Sequence, residues 1–220
     1  MSPKTPGRAL LARLTASAFA LVLLGAGNAF AQASVSAGKD YTVINPPQST
    51  DGDARAEVSE FFAYGCIHCY HLEPKLEAWA KQLPKDVKVK RIPTPFKIRG
   101  IDSGPLFYTL ETMGMLDKLH MKIFEAANNE NVPLGNPDVL QKWLAQQGVD
   151  VKKYQEIEKS FSVQSKVSRA KILTANYKVE ATPTMTLDGK YLINMQTPEQ
   201  AFQTLDTLIA ASRLAKPGKG

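Results

Sequence analysis

The spacing of apolar residues predicts strands near both ends of the chain and helices between them. Short apolar or alternating runs bounded by turn residues predict five strands, at residues 41–44, 58–64, 87–92, 184–187 and 190–194. The dipeptide Asp188-Gly189 separates the last two runs and is typical of the tight turn of a β-hairpin.

Between the third and fourth predicted strands the apolar spacing changes to that of helices. From residue 100 to residue 177 apolar residues recur three or four positions apart in several short runs. The same spacing, with Leu72, Leu76 and Trp79, follows the second strand, and Pro198 is expected near the start of a last helix. Several short helices in a row, set between strands, indicate an insertion.

The chain has two cysteines, Cys66 and Cys69, at the junction between the second predicted strand and the helix that follows it. Gly65 turns the backbone just before them, so the pair caps the helix. The first N–H groups of a helix have no internal acceptor and its start is positively polarised, which stabilises a thiolate at Cys66. We expect Cys69, one turn deeper, to be more buried and protonated. A thiolate of low pKa is a good leaving group. A disulfide between these two sulfurs is therefore easily broken by a substrate thiolate, which makes it oxidising.

Three other interpretations of the Cys-x-x-Cys pair have less support. A structural disulfide closing so short a loop would restrict the unfolded chain little. Covalent haem attachment needs His directly after the second Cys, where this chain has Tyr70 and places His71 one position late. A zinc site would combine the cysteines with His68 or His71, but His120 is the only other histidine in the sequence. No metal and no organic cofactor are expected.

The first 31 residues are predicted to be a secretory signal peptide. A basic start is followed by an apolar run at residues 14–27 and by a small-x-small cleavage site ending at Ala31. The apolar run is too short to span a bilayer, which argues against an uncleaved anchor. We therefore expect export to the periplasm after cleavage near Ala31. Two cysteines cannot form the disulfide framework of an exported chain this long, so they are interpreted as chemical groups.

The charge of the protein is mild and spread over the sequence. The formal net charge is +6, and it falls to +3 without residues 1–31, which carry three basic residues and no acid. Because Lys and Arg are scattered, neither nucleic-acid binding nor polybasic membrane binding is indicated. A 44% apolar composition supplies a core for one or two small domains.

Two stretches of the sequence resemble a known family. Residues 60–70 read Glu-Phe-Phe-Ala-Tyr-Gly-Cys-Ile-His-Cys-Tyr, and residues 181–185 read Ala-Thr-Pro-Thr-Met. Both resemble the periplasmic DsbA family of thiol:disulfide interchange proteins, which are thioredoxin-fold oxidases. The resemblance implies an α/β thioredoxin fold with an inserted all-helical domain. The thioredoxin domain would then comprise residues 32–98 and 177–215, the helical domain residues 99–176, and a flexible tail residues 216–220.

The resemblance also suggests roles for residues around the cysteines. Ile67 stands where the family most often has Pro, at a position that tunes the redox potential. Glu60 is implied to lie beneath Cys69 as its proton acceptor, with Lys90 or Arg91 of the next strand as its partner. The alternative is a Glu60 side chain that faces solvent at the sheet edge.

Two further positions are expected at the dithiol. His68 lies between the cysteines, where a protonated imidazole would stabilise the Cys66 thiolate. The dipeptide Thr182-Pro183 resembles the cis-Pro loop of the family, which faces the dithiol. There the backbone of Thr182 would pair with an extended substrate chain, and its side chain would adjust the stability of the thiolate.

The predicted function is that of an exported thiol:disulfide oxidoreductase. It would donate a Cys66–Cys69 disulfide to newly translocated, cysteine-containing proteins through a mixed disulfide at Cys66. The resemblance implies a membrane quinone-linked reoxidase of the DsbB type as second partner, and a monomer is expected. The alternatives are a disulfide reductase or isomerase, and a non-catalytic chaperone that binds peptides in a groove beside the dithiol.

Overall fold

A computed structural model of the protein describes residues 35–52 and 54–215. The predicted signal peptide, its cleavage site and the predicted tail at residues 216–220 lie outside these ranges. Within them, no helix is both long enough and apolar enough to cross a membrane.

A mixed five-stranded sheet forms the centre of the fold. Its strands are β1 (Tyr41–Val43), β2 (Ala56–Phe62), β3 (Val87–Pro93), β4 (Thr184–Leu187) and β5 (Tyr191–Ile193). They lie in the order β1-β5-β4-β2-β3, with β2 parallel to β3 and the other neighbours antiparallel. All five predicted strands are present. The predicted hairpin is also confirmed, since Asp188 and Gly189 take the positive φ angles of 53° and 67° that a tight turn needs.

Of the seven α-helices in the described residues, five lie between β3 and β4 in the sequence. The helices are α1 (Ile67–Ala80), α2 (Ser103–Thr112), α3 (Leu116–Asn128), α4 (Pro137–Gln146), α5 (Val151–Glu158), α6 (Phe161–Asn176) and α7 (Pro198–Ala215), with a short 3-10 turn at Ile98–Gly100. Helices α2 to α6 are the predicted insertion, and the thioredoxin fold with a helical insertion is confirmed. The described residues form one compact unit, so the domain boundaries at 98 and 176 remain predictions.

Strand β2 is buried along its whole length between two apolar clusters. Phe61 and Phe62 point to opposite faces of the strand, and both belong to the cluster that contains the inserted helices. Val58 belongs to the second cluster, together with residues of α1 and α7. Burial on both faces explains why the sequence of β2 is a nearly continuous apolar run. The strand therefore delivers the residues that follow it to a fixed place between the sheet and the insertion.

We predict that Gly65→Ala destabilises the protein by about 1–3 kcal/mol, the usual cost of overpacking. A Cβ atom at this position would lie 2.3 Å from the backbone oxygen of Ile98, so the backbone itself must shift. Urea unfolding measures the change.

The matched control is Gly104→Ala, on helix α2. Its added Cβ would meet the Val167 side chain at 3.4 Å and Asp102 Oδ1 at 3.9 Å, which are ordinary contacts, and Ala is the better helix former. We expect Gly104→Ala to be neutral or stabilising, and equal losses in the two variants would contradict a special close approach at Gly65.

Candidate active site

The two cysteines lie at the start of helix α1, as the sequence predicts. Cys66 is the N-cap residue, with an extended backbone (φ −86°, ψ 113°), and its Sγ accepts a hydrogen bond from the Cys69 N–H at 3.3 Å. The Cys66 N–H donates to the Ala63 oxygen at 3.0 Å, which closes the turn between β2 and α1. The two sulfurs are not bonded to each other, so the structure shows the dithiol form.

The surroundings of Cys66 favour its thiolate. Hydrogen bonding by the Cys69 thiol lowers the pKa of Cys66 to about 5, against the opposing effect of burial. The Thr182 side chain and the backbone N–H groups of Cys69 and His68 lower it further. These N–H groups belong to the first turn of α1, where no helical acceptor is available to them. The thiolate predicted from the helix start therefore has identified donors.

The surroundings of Cys69 favour its protonated thiol. Its side chain is fully buried. Burial raises the pKa of Cys69 far above its ordinary value, and the pairing with Cys66 and the negative charges of Glu60 and Cys66 raise it further. In the reduced protein the proton therefore stays on Cys69 and the charge on Cys66.

The Thr182-Pro183 loop faces the dithiol, as the resemblance implies. Its peptide bond is cis, and the Cys66 thiol lies 3.2 Å from the Thr182 carbonyl oxygen, to which it donates. Beside the loop, a cavity of about 380 Å³ is lined by His68 and Pro183, with Leu72 and Met195 among its apolar residues. An extended peptide placed there would lie along the Thr182 backbone, next to Cys66.

The two residues between the cysteines are exposed. Ile67 has 40% of its surface accessible, beside the sulfur that a substrate would approach. The His68 imidazole is also exposed, and the group of this residue that lowers the pKa of Cys66 is its backbone N–H. Stabilisation of the thiolate by the His68 imidazole stays a prediction.

Glu60 lies in the centre of the sheet and is completely buried. Within the described part of the chain, neither of its carboxylate oxygens has a hydrogen-bond partner. Burial and the negative charge of Glu73 raise the pKa of Glu60 well above its ordinary value, although Arg91 acts against them. The solvent-facing alternative for Glu60 is therefore wrong, and its buried surroundings favour the protonated form of the carboxyl.

The predicted partners of Glu60 need correction. Lys90 forms an ion pair with Asp51 at 2.5 Å, so its assignment to Glu60 is wrong. Arg91 is the register partner of Glu60 across β2 and β3, but its guanidinium binds Glu73 and, at 3.1 Å, Glu77. Arg91 therefore influences Glu60 by its charge alone. Adjacent strand residues point to opposite faces, which explains why Lys90 and Arg91 have different partners.

Sequence analysis missed three buried polar residues of this region. Glu73 is 2% exposed, and although burial opposes its ionisation, His120 and Arg91 outweigh burial and lower its pKa. The second residue, His120, has its Nε2 atom 3.3 Å from the Glu73 carboxylate. The third residue is Tyr64, whose hydroxyl lies 2.9 Å from His120 Nδ1. Glu73, Arg91 and His120 also line a cavity of about 460 Å³.

A signal for two of these residues was present in the sequence. Glu73 stands four positions after Cys69 and three before Leu76, on the buried face of α1, and His120 stands next to Leu119 on the apolar side of α3. The zinc alternative involves His120 only as the remaining histidine, and no motif singles out Glu73. A polar, ionisable residue within an apolar helical stripe is the pattern that identifies both.

The chain is similar to known proteins over most of its length. Residues 101–210 match the family model described as "DSBA-like thioredoxin domain". The "Thiol:disulfide interchange protein DsbA" of Pseudomonas aeruginosa is 36% identical over 182 residues, which cover 81% of this chain and 86% of that protein. The chain belongs to the DsbA family. The DsbA of Bordetella pertussis is 37% identical over 199 residues, covering 88% of this chain and 95% of that protein.

Solved DsbA structures have the same fold. The crystal structure of Pseudomonas aeruginosa DsbA superposes with a TM-score of 0.76 at 35% identity, over 82% of this chain and 96% of that one. Reduced DsbA1 from Neisseria meningitidis gives a TM-score of 0.72 at 30% identity, over 83% of this chain and 97% of that one. The protein is a thiol:disulfide oxidoreductase with a thioredoxin-like fold, and the reductase or isomerase and chaperone alternatives are not favoured.

We predict that the Cys66 thiol titrates near pH 5 and that its contribution to the stability of the reduced protein grows as the pH rises from about 5 to 9. The pKa of Cys66 is about 5 in the folded protein, against an ordinary value of 9.0. A depressed pKa contributes stability that is complete above the ordinary value and is lost as the pH falls through the folded value. Thiolate absorbance gives the midpoint, and urea unfolding gives the free energy.

The control for the stability measurement is Cys66→Ala, which retains every other titrating group. The difference in free energy of unfolding between the reduced protein and this variant should grow across the stated range. Cys69 does not disturb the comparison, because it is present in both proteins and its raised pKa keeps it protonated in the folded state. A difference that does not change with pH would contradict the low pKa of Cys66.

Proposed function

We propose that the protein is an oxidase, which transfers a Cys66–Cys69 disulfide to cysteine-containing proteins. The observation that supports this direction is the unequal ionisation of the two sulfurs, with the pKa of Cys66 lowered to about 5 and that of Cys69 raised. A stabilised thiolate lowers the free energy of the reduced form, so the disulfide is readily given up.

The reaction proceeds in two exchanges. A substrate thiolate attacks the Cys66 sulfur, the Cys66–Cys69 bond breaks, and a mixed disulfide forms while Cys69 leaves with the electron pair. A second substrate thiolate then attacks the substrate sulfur of the mixed disulfide, and Cys66 leaves as a thiolate. The substrate dithiol has become a disulfide, and the enzyme disulfide has become a dithiol.

Glu60 supplies the proton that Cys69 needs. Cys69 leaves as a thiolate in a fully buried position, where the charge is strongly disfavoured. Burial raises the pKa of Glu60 well above its ordinary value, which favours a proton on its carboxyl, and in its charged form Glu60 raises the pKa of Cys69, which indicates that the two groups are close. During reoxidation the same carboxylate takes the proton back.

The Thr182-Pro183 loop and the residues between the cysteines receive the substrate. The Thr182 carbonyl oxygen lies 3.2 Å from the Cys66 sulfur, so a peptide paired with this backbone would present its own sulfur to Cys66. The neighbouring cavity, lined by His68 and Pro183, would take side chains that flank the substrate cysteine. Exposed Ile67 would tune the redox potential, and the His68 imidazole would add positive charge.

The cellular setting follows from the family. DsbA proteins are periplasmic, and we infer that this chain is exported and cleaved near Ala31. Its substrates would be newly translocated or unfolded proteins with free cysteines. A membrane quinone-linked reoxidase of the DsbB type would restore the disulfide, and the enzyme would act as a monomer.

We predict that Cys66→Ser abolishes oxidation of a dithiol peptide, whereas Cys69→Ser accumulates mixed disulfides. In Cys69→Ser the Cys66 thiolate can attack a disulfide, but no internal thiol releases the adduct. Non-reducing electrophoresis detects these adducts. In Cys66→Ser the remaining thiol is buried and should form none.

The equilibrium with glutathione tests the direction of the reaction. An oxidase disulfide should be reduced by glutathione almost completely at low glutathione excess. A dithiol that stays oxidised under these conditions would contradict the oxidase assignment and support a reductase. Residual peptide oxidation by Cys66→Ser would contradict the role of Cys66.

We further predict that Glu60→Gln slows peptide oxidation by roughly 100-fold near neutral pH, at the lower end of the range typical of a lost general acid. The amide cannot transfer a proton to Cys69, so the departure of this sulfur becomes costly. Stopped-flow measurement of the reduction of the enzyme by a dithiol peptide gives the rate.

Glu57→Gln is the matched control, because Glu57 lies on the same strand, is 8% exposed and binds the Asp51 N–H instead. It should keep the rate of the unsubstituted protein. Equal rates for the two variants would show that Glu60 carries no proton in the reaction.

A further inference from the structure

Tyr64, two residues before Cys66, is held at all three of its polar groups by the inserted helices. Its backbone N–H donates to Ser103 Oγ at 2.9 Å, and its backbone oxygen accepts from Asn128 Nδ2 at 2.8 Å. Its hydroxyl lies 2.9 Å from His120 Nδ1. Ser103 begins α2, and His120 and Asn128 belong to α3, so each partner belongs to the insertion rather than to the sheet. We call Ser103, His120 and Asn128 the Tyr64 clamp.

The orientation of the His120 contact follows from its second neighbour. The Glu73 carboxylate lies 3.3 Å from Nε2 and favours a proton there, which leaves Nδ1 free to accept from the Tyr64 hydroxyl. Tyr64 is fully buried, and its ring packs edge-on against Phe62 and Phe124. In such a site an unpaired hydroxyl is costly, so the bond to His120 is retained.

The short segment between Tyr64 and Cys66 is tightly packed and hydrogen-bonded. Gly65 packs so closely on the 3-10 turn that an added Cβ would lie 2.3 Å from the Ile98 oxygen. The Cys66 N–H is bonded to the Ala63 oxygen at 3.0 Å. A displacement of Tyr64 is therefore passed on to the Cys66 sulfur.

The other side of the dithiol is also attached to α3. Tyr70, which follows Cys69, donates its hydroxyl to Glu125. The Tyr70 N–H bonds to the Cys66 oxygen at 3.1 Å and forms part of the first turn of α1. The turn that carries both cysteines is thus connected to one helix of the insertion from both ends.

We propose that Ser103, His120 and Asn128 are positioning residues that set the oxidising strength of the dithiol by holding Tyr64. The Cys66 sulfur depends on donors at defined positions, including the Cys69 N–H at 3.3 Å. Hydrogen bonds weaken steeply when distance and angle depart from the optimum, so a looser Tyr64 stabilises the thiolate less. The reduced form is then disfavoured, and the disulfide becomes harder to give up. This inference rests on the proposed role of Cys66.

The test uses Ser103→Ala, Asn128→Ala and Tyr64→Phe in the full chain. Two quantities are measured for each, the pH midpoint of Cys66 thiolate absorbance and the equilibrium constant with glutathione. We expect Ser103→Ala and Asn128→Ala to raise the Cys66 pKa by roughly half a unit to one unit, and to shift the equilibrium about three- to tenfold toward the enzyme disulfide. Tyr64→Phe, which keeps both backbone bonds, should shift it in the same direction by at least about twofold.

Thr174→Val is the matched control for the loss of a buried hydrogen bond. The Thr174 hydroxyl is buried on α6 and donates to the Ala170 oxygen at 2.8 Å, so its hydrogen-bond partner is neither Tyr64 nor a residue of the clamp. This variant should lose stability in urea but keep the Cys66 pKa and the glutathione equilibrium. A merely structural role for the clamp predicts that Ser103→Ala and Asn128→Ala behave in the same way, and that result would overturn the proposal.

Two further outcomes are decisive. Should Asn128→Ala or Ser103→Ala fail to fold, Tyr64→Phe still tests the proposal, because it removes one oxygen atom only, and an unchanged equilibrium in it would overturn the inference. The unsubstituted protein is titrated first. An ordinary alkaline pKa of its Cys66 would contradict the proposed function, and the inference with it, whereas a low pKa that the variants leave unchanged contradicts the inference alone.

Discussion

The structure depends on the unequal ionisation of two neighbouring sulfurs. The inner sulfur, Cys69, holds a proton, and the outer sulfur, Cys66, holds a negative charge. Cys66 receives hydrogen bonds from the Cys69 thiol and from N–H groups that a helix start leaves without acceptors. Cys69 is buried one turn deeper, where ionisation is disfavoured. Because this difference exists only between separate thiols, it favours the open dithiol over the closed disulfide.

Two buried acids near the dithiol, Glu73 and Glu60, also have pKa values that are shifted in opposite directions. The pKa of Glu73 is lowered, since His120 and Arg91 outweigh the effect of burial, so Glu73 keeps the charge. Glu60 has no such partner, and its pKa is raised by burial and by the charge of Glu73. Environments that push the pKa values of two neighbouring acids apart are typical of sites that move protons. Such a cluster is costly in a core, and apolar residues would serve stability better.

Much of the fold was accessible from the sequence because it depends on local patterns. The five strands, the Asp188-Gly189 turn and the helical insertion follow from apolar spacing and turn chemistry, and the position of the cysteines at a helix start follows from Gly65 and the stripe through Leu72 and Leu76. The resemblance at residues 60–70 and 181–185 predicted the fold family and the position of the Thr182-Pro183 loop beside the dithiol. These features need no knowledge of which distant side chains meet.

The polar partners could not be predicted for the same reason. Lys90 and Arg91 are adjacent in sequence, and only the sheet geometry shows that one binds Asp51 and the other Glu73. Tyr64 meets Ser103, His120 and Asn128 across 39, 56 and 64 positions, which no local pattern encodes. A long-range contact of this kind depends on how the insertion docks on the sheet.

The long reach of these contacts has a consequence for the order of events during synthesis. The two cysteines and the first turn of α1 emerge early, but the residues that hold this turn, and the Thr182 group that helps to lower the pKa of Cys66, come later, from positions 103 to 182. Until residue 182 has been added, the nascent chain lacks this part of the stabilisation of the Cys66 thiolate. The full reactivity of the outer sulfur is thus acquired late in the synthesis of the chain.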